Sequence, residues 1–308
     1  MDPRTSEFVG IIAGPTASGK STLAVEVALR HNLAIISADS MQVYRGMEIG
    51  TGAIPPEEQR GVPHYLLGIA DPREEFHAAR FVDEARAAAA REWKQHGRRS
   101  LVVGGTGMWI QALREGLFEG PGRDEALRVE LREVLEREGA EALHERLRQV
   151  DPAMAEQLSP RDHVRVLRAI EVFEISGRTL TSWQEEDRAR REALTNLLPL
   201  YVINLPREQL RRRIDERVDE MLAAGWLEEA ERLWELDLPN HAPARKALGY
   251  RQLFRVIKGE INDQEARQLI KTETKKFAKR QLTWFRGQRE AQFDTTPTVE
   301  RCEAALSL

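Results

Sequence analysis

The chain has a single cysteine, Cys302, among its 308 residues, so it can form neither an internal disulfide nor a cysteine-based metal cluster. That agrees with a reducing compartment and removes zinc-finger readings; Cys302 itself reads as a small residue of the tail. No apolar run approaches the eighteen or so residues of a spanning helix, which excludes the membrane as a partner. The first ten residues, MDPRTSEFVG, place no basic stretch ahead of an apolar one, and the expected compartment is the cytoplasm. Internal repeats, low-complexity tracts and a heptad seam are also missing, and a monomer is the expectation.

What is present is charge. Charged residues make up 31% of the chain, yet the net charge is only −4. The average hides a segment: residues 244–289 hold thirteen cations against four anions, a net +9 that leaves the rest near −13. An acidic body with one basic element fits a polyanionic partner, although a solvated helix face has the same composition.

The length suits about two domains. The first 120 residues alternate short β-branched runs with helical periodicity. Strands are expected at 8–13, 33–37 and 101–103. Helices are expected at 21–31 and 79–96, the latter turning Phe81, Ala85, Ala88, Ala89 and Trp93 to the core and stopping at Gly97. Beyond Gly120-Pro-Gly122 only charged helical periodicity is seen as far as about 191, and an apolar run at 197–205 then rejoins the sheet. Further helices are expected at 207–224, 227–235, 246–258 and 263–286. The fold class that follows is α/β, a P-loop-type parallel sheet flanked by helices, with an inserted all-helical domain. Residues 1–120 and 195–308 form the discontinuous catalytic domain, and 121–194 the insert.

Gly14-Pro15-Thr16-Ala17-Ser18-Gly19-Lys20-Ser21 matches G-x-x-x-x-G-K-[ST] between an expected strand and helix. Glycines let backbone N–H groups close around phosphate oxygens, and the helix N-terminus adds positive potential. Lys20 reaches the terminal phosphate, and Ser21 is placed to ligate Mg2+. The loop does not choose between a nucleoside triphosphate and another diphosphate. Nucleotide hydrolases and small-molecule kinases often carry an aspartate at the end of a later strand, but the strand at 101–103 runs into Gly104-Gly105-Thr106. Asp39 instead follows the strand after the phosphate-loop helix, where open α/β sheets bind ligands. It is the candidate general base, with a metal-shell role or a turn aspartate as alternatives. Gly104–Gly107 reads as a turn of small residues able to approach the same phosphates.

These motifs, with SADSMQVYRGMEIGT at 37–51, GVPHYLLGIADP at 61–72, VGGTGMWIQAL at 103–113, RDHVRVLRAIEVFEISG at 161–177, ALGYRQL at 247–253 and KRQLTWFRG at 279–287, resemble the bacterial tRNA dimethylallyltransferases nearly end to end. The resemblance implies transfer of a dimethylallyl group from dimethylallyl diphosphate to the N6 amine of adenosine 37 in the tRNA anticodon stem-loop. By similarity, Asp39 takes the amine proton and Thr106 lies beside the reacting groups. Gly14 to Ser21 hold the diphosphate with Mg2+, joined by Arg217. Contacts to tRNA are implied for Asp39, Ser40, Met41, Gln42, Thr106 and Arg128. They are implied as well for Val164, Arg165, Val166, Leu167 and Arg168, and for Lys246, Ala247, Leu248, Gly249, Tyr250 and Arg251. Three positions depart from the family pattern: Tyr65 follows His64, which itself reads as structural, Trp109 follows Met108, and Lys246, whose role rests on its charge and its nearness to Gly249-Tyr250-Arg251, stands where relatives carry other residues.

The chemistry suits the residues apart from the resemblance. Allyl transfer needs a clamp for a departing diphosphate and a group that accepts the amine proton. A P-loop kinase of a small metabolite, a nucleotide-dependent RNA-binding switch and a prenyltransferase of free adenine nucleotides are the rival readings.

Overall fold

The computed structural model describes residues 7–117, 120–239 and 242–308. The first six residues, which belong to the stretch MDPRTSEFVG considered above, lie outside the described residues. Six strands form one sheet: β1 Phe8–Ala13, β2 Ala34–Ala38, β3 His64–Tyr65, β4 Ser100–Gly104, β5 Leu200–Ile203 and β6 Ala291–Asp294. Their order is β3-β2-β4-β1-β5-β6, and all the pairings are parallel.

Both faces of this sheet are covered, so its strands carry continuous apolar runs rather than an alternation with polar residues. Ile11, Ile36, Val102 and Val202 enter one apolar cluster, while Ile12, Ile35, Leu101 and Tyr201 enter another. The crossover helix Lys20–His31 buries Ala24, Val25, Val27 and Ala28. The helix Ala78–His96 is capped by the His77 ring, which accepts the Arg80 N–H, and ends at Gly97 in the left-handed region.

The chain divides into two compact units, Met1–Arg114 with Asn196–Leu308, and Glu115–Thr195. The second is all helix, with elements at Glu125–Glu138, Ala140–Val150, Pro152–Gln157, His163–Ser176 and Leu180–Glu192. Leu131, Leu143, Leu147, Met154, Val166 and Ile170 form its core. Glu171 is fully buried there, yet it accepts from Arg128 Nε at 2.7 Å, Arg168 Nη1 at 2.7 Å and the Asp124 N–H at 3.0 Å. Although burial alone would raise its pKa, these three donors hold the carboxyl down at about 2.

Three expectations need correction. Trp93 is 48% exposed, and Ala78 and Val82 take the core positions instead, because the helix is rotated slightly from the assumed face. The helix expected over 246–258 is two pieces, Pro243–Lys246 and Tyr250–Ile257. Gly249 between them has φ 90°, and a Cβ there would stand 2.0 Å from the Trp226 ring, so the backbone turns where only glycine fits. Cys302 is no loose tail residue. It is fully buried on the helix Val299–Leu306, and burial raises its thiol to about 12.

The Glu171 contacts make a prediction for stability. The depressed carboxyl contributes fully above its ordinary pKa near 4.5, and the contribution is lost as pH falls through about 2. Glu171→Gln is expected to cost about 3 kcal/mol in the stability of the helical unit at pH 7. Urea unfolding at stepped pH should show that difference shrinking below about pH 4.5.

Candidate active site

Three strand ends and one helix build the site. After β1 the chain passes through Gly14 to Gly19 before the helix begins at Lys20. Ala17 (φ 61°) and Gly19 (φ 88°) take left-handed backbone, which turns successive N–H groups toward one side, the geometry of an anion nest. Gly14 has no room for a side chain: a Cβ would lie 2.9 Å from Ser18 Oγ and 3.1 Å from the carbonyl of Ile203.

The loop opens on a cavity of about 910 Å3, walled by residues 17–22, by the segment 48–59 and by the helix Arg207–Ala223. That helix supplies Arg217, whose Nη2 donates to the Gly52 carbonyl at 3.0 Å. One turn earlier it supplies Arg213, whose Nη1 donates to the Ser18 carbonyl at 3.3 Å. Two more of its arginines, Arg211 and Arg212, pair with Glu208 and Glu216. Arg213 and Arg217 have no carboxylate in ion-pair contact among the described residues. Burial lowers the Lys20 ammonium to about 8; Arg217 pushes the same way and Asp39 opposes both. Burial likewise lowers Arg217, against the charges of Asp39, Glu220 and Glu58. Lys20, Arg217 and Asp39 therefore lie within electrostatic reach of one another.

Asp39 and Thr106 sit just past the carboxyl ends of β2 and β4, where Ala38 pairs with Gly104. Asp39 Oδ1 accepts the Met41 N–H at 2.9 Å, which fixes the carboxylate and leaves Oδ2 without a hydrogen bond among the described residues. Thr106 Oγ1 accepts the Ser40 N–H at 2.9 Å, and its own N–H donates to Ala38 at 3.2 Å. The structure thus brings together the phosphate loop, Lys20, Arg217, Asp39, Ser40 and Thr106. Met41 is half-buried beside them, and Ser21 is the second residue of the helix behind the loop.

Other expected contacts are placed differently. The Gln42 amide is consumed inside the protein, accepting from Ser37 Oγ at 2.9 Å and donating to the carbonyls of Thr51 and Gly52. It shapes the loop 39–52 instead of presenting free groups to a base. Val166 and Tyr250 are fully buried, so their side chains serve the core rather than an RNA surface. Arg128 and Arg168 are bound to Glu171, while Val164 and Arg165 stand out from the same unit, at 69% and 73% exposure. Lys246 and Arg251 are exposed, and Arg251 contacts Glu273. Ala247 and Gly249 are buried, and Leu248 is partly so. His64 has a structural contact, from Nδ1 to the Val62 carbonyl at 2.8 Å, and Trp109 is buried against Phe81.

Sequence reasoning missed three residues. Arg213 was within reach, since four residues from Arg217 on a helix is the same face. Glu229 was a polar residue on an apolar stripe with Trp226, Ala230 and Leu233. It is buried and accepts from the Ile49 N–H, the Gly50 N–H and Tyr250 Oη. Gln281, on the helix Asp263–Arg286, lies inside the KRQLTWFRG motif, but nothing in that pattern points to its partners. Its Oε1 accepts the Thr16 N–H at 3.0 Å, and its Nε2 donates to the Gly105 carbonyl at 3.0 Å.

The chain matches the IPP transferase family over residues 42–288 and the isopentenyl transferase family over residues 8–68. It is 46% identical over 280 residues to the tRNA dimethylallyltransferase of Geobacter metallireducens, covering 91% of this chain and 90% of that one. With the tRNA dimethylallyltransferase of Geobacter sulfurreducens the identity is 44% over 296 residues, 94% of each chain. Among solved structures, the tRNA isopentenylpyrophosphate transferase of Bacillus halodurans superposes with a TM-score of 0.68 at 34% identity, over 96% of both chains. A eukaryotic dimethylallyltransferase acting on tRNA gives 0.75 at 26% identity, over 96% of this chain and 77% of that one.

The state of Lys20 yields a prediction that needs no turnover. Its ammonium exists below about pH 8 and is lost above it, so pyrophosphate affinity measured by calorimetry should fall as pH rises through 8. Lys20→Arg keeps the charge and should flatten that limb.

Proposed function

The chain belongs to the IPP transferase family, and on that premise we propose how its residues carry the reaction: transfer of a dimethylallyl group from dimethylallyl diphosphate to the N6 amine of adenosine 37 in tRNA. The N6 lone pair forms the new C–N bond at the allylic carbon. The C–O bond to the diphosphate breaks, and its electron pair leaves with the diphosphate. Asp39 accepts the proton that N6 gives up.

The observation that supports this most is the arrangement of charge. A loop built for phosphate and a strand-end carboxylate with a free Oδ2 stand at the carboxyl edge of the same sheet, close enough for Asp39 to act on Lys20 and Arg217. Negative charge that develops on the bridging oxygen meets the loop N–H groups, Lys20, Arg217 and Arg213, which stabilise it most as the bond breaks. Thr106, held by Ser40 and Ala38, positions the base beside Asp39. The kinase reading lacks its second acidic element, because β4 ends in Gly104-Gly105-Thr106.

The family's reaction generally involves a divalent metal. Among the described residues no three carboxylates, histidines or cysteines converge to hold an ion on their own. The Ser21 hydroxyl, in the first turn of the helix behind the phosphate loop, is the group that would hold Mg2+. Bound there, Mg2+ would neutralise charge on the leaving group.

The RNA partner is the anticodon stem-loop, since specific RNA recognition favours loops whose bases can be unstacked, and N6 of adenosine is reached by extruding the base. Val164 and Arg165 of the helical unit and Lys246 and Arg251 of the other unit are the exposed groups that would meet it. A cytoplasmic monomer completes the reading; no helix among the described residues is long and apolar enough to cross a membrane.

The deciding experiment incubates the protein with Mg2+, labelled dimethylallyl diphosphate and unmodified tRNA, then looks for N6-dimethylallyladenosine by mass. Label on adenosine monophosphate in place of tRNA would redirect the reading to a free nucleotide. Asp39→Asn is expected to lower turnover by about 10²- to 10⁴-fold while tRNA affinity holds; full activity would remove Asp39 from the chemistry. Lys246→Ala with Arg251→Ala should weaken tRNA binding and reduce the slope of log K against log salt by about one to two, leaving pyrophosphate affinity unchanged.

A further inference from the structure

Thr16 lies in the phosphate loop, and its N–H is one of the groups such a loop would ordinarily offer to an anion. Here that N–H is already spoken for: it donates to Gln281 Oε1, a side chain 265 positions later in the sequence. The other end of the same amide donates to the carbonyl of Gly105, the residue before Thr106. Gln281 is 7% exposed, and both of its polar atoms are used in these bonds. One planar group, about 2.3 Å from oxygen to nitrogen, therefore joins the turn that holds the departing diphosphate to the turn that carries Thr106.

The two turns are already in close approach. A Cβ on Gly105 would stand 2.3 Å from Gln281 Nε2 and 3.2 Å from the carbonyl oxygen of Gly14. A side chain at position 105 would thus displace the amide before it displaced the loop. The helix that carries Gln281 is itself pinned. Lys275 pairs with Asp215 and Lys271 with Asp219, both on the helix that carries Arg213 and Arg217. Ala266, Ile270, Ala278 and Phe285 bury the same stripe of the Gln281 helix in the core. Gln281 thereby braces the two loops beyond the point where β1 and β4 stop pairing, at Ala13 and Gly104.

Resting on the proposed allyl transfer, we infer that Gln281 is a positioning residue: by cross-linking the phosphate loop at Thr16 to the Gly105 turn, it sets the distance between the leaving diphosphate and the amine held beside Asp39 and Thr106. Reacting atoms must come within about 3–3.5 Å, and an error of about 1 Å costs on the order of 10² in rate. Neither substrate needs to touch Gln281 for this effect. Its loss belongs in the rate of the bound complex and not in the affinity for either partner.

Gln281→Met keeps the volume and removes both hydrogen bonds. Under single-turnover conditions with saturating enzyme, its rate constant for dimethylallyl transfer to tRNA is expected to fall 10- to 100-fold. Pyrophosphate and tRNA dissociation constants should stay within threefold. A single-turnover constant does not depend on the fraction of folded protein, so a purely structural defect leaves it unchanged. Gln281→Glu keeps an acceptor for Thr16 but has no proton for Gly105 while ionised. Its rate should be low at pH 8 and recover toward wild type as the carboxyl protonates at lower pH, after division by the wild-type profile. A Gln281→Met rate constant within twofold of wild type overturns the inference, as does a loss confined to the two affinities. Absence of transfer by the wild-type protein would overturn the activity itself, a separate outcome.

Discussion

A Cβ on Gly104 would stand 2.2 Å from the carbonyl oxygen of Ala38, and the site exists because nothing is there. β2 and β4 remain paired to their last residues, Ala38 and Gly104, so Asp39 and Thr106 leave adjacent strands at one level. Parallel strands space their carboxyl ends about 4.8 Å apart, and only a residue without a side chain lets the next turn fold back across that gap. Thr106 then donates its N–H to Ala38 and accepts from Ser40. Asp39 is oriented by the same turn through the Met41 N–H. β1, on the other side of β4, delivers the phosphate loop to the same edge under the same constraint, since Gly14 also has no space for a side chain. The geometry of the candidate site follows from two glycines at strand ends and the register of one sheet.

The electrostatics follow from that packing. Burial brings Lys20 down to about 8, and Arg217 is lowered by the same cause. Two cations held in a desolvated wall are costly without an anion, and Asp39 offsets part of the cost for both. An arriving diphosphate would complete the neutralisation, so the wall is poised for a ligand more negative than a single carboxylate. On the proposed reaction, Asp39 would balance these cations until a diphosphate takes over that balance, and would then be the acceptor of the amine proton.

Most of the sheet was legible because buried parallel strands announce themselves as short β-branched runs: β1 was read to the residue, and β2, β4 and β5 within a position or inside the expected run. The edge strands were not. β3 is two residues long, and β6, Ala-Gln-Phe-Asp, mixes polar with apolar positions and is fixed by Tyr201 Oη donating to Asp294 at 2.7 Å, a contact over 93 positions. At the site, Asp39 and the phosphate loop could be read from local pattern, whereas Gln281 and Glu229 act entirely through long-range contacts. The broken helix at Gly249 had a similar cause: amphipathic periodicity continues across the break, and only the Trp226 ring, packed against Gly249, shows why the backbone must turn. Trp93 was misplaced because an aromatic at helical spacing is a core signal only when the burying neighbour exists.

The basic segment shows where composition stops being informative. Of its thirteen cations, Lys271 and Arg267 are matched by Asp219, Lys275 by Asp215, and Arg251 with Lys276 by Glu273. Asp215 and Asp219 lie outside the segment on the helix Arg207–Ala223, so counting along the chain assigned their partners to an RNA surface while the fold spends them on helix packing. Lys246, Lys279, Arg280 and Arg286 are exposed, with no ion-pair partner among the described residues. Those four, rather than a net +9, are the exposed charges of the segment that no carboxylate among the described residues engages. Each neutralised phosphate contributes somewhat less than one unit to the salt slope. A modest electrostatic footprint would leave discrimination among RNAs to shape. An enzyme that modifies one position in a folded RNA needs that division of labour, because a strong unspecific field would hold every tRNA alike.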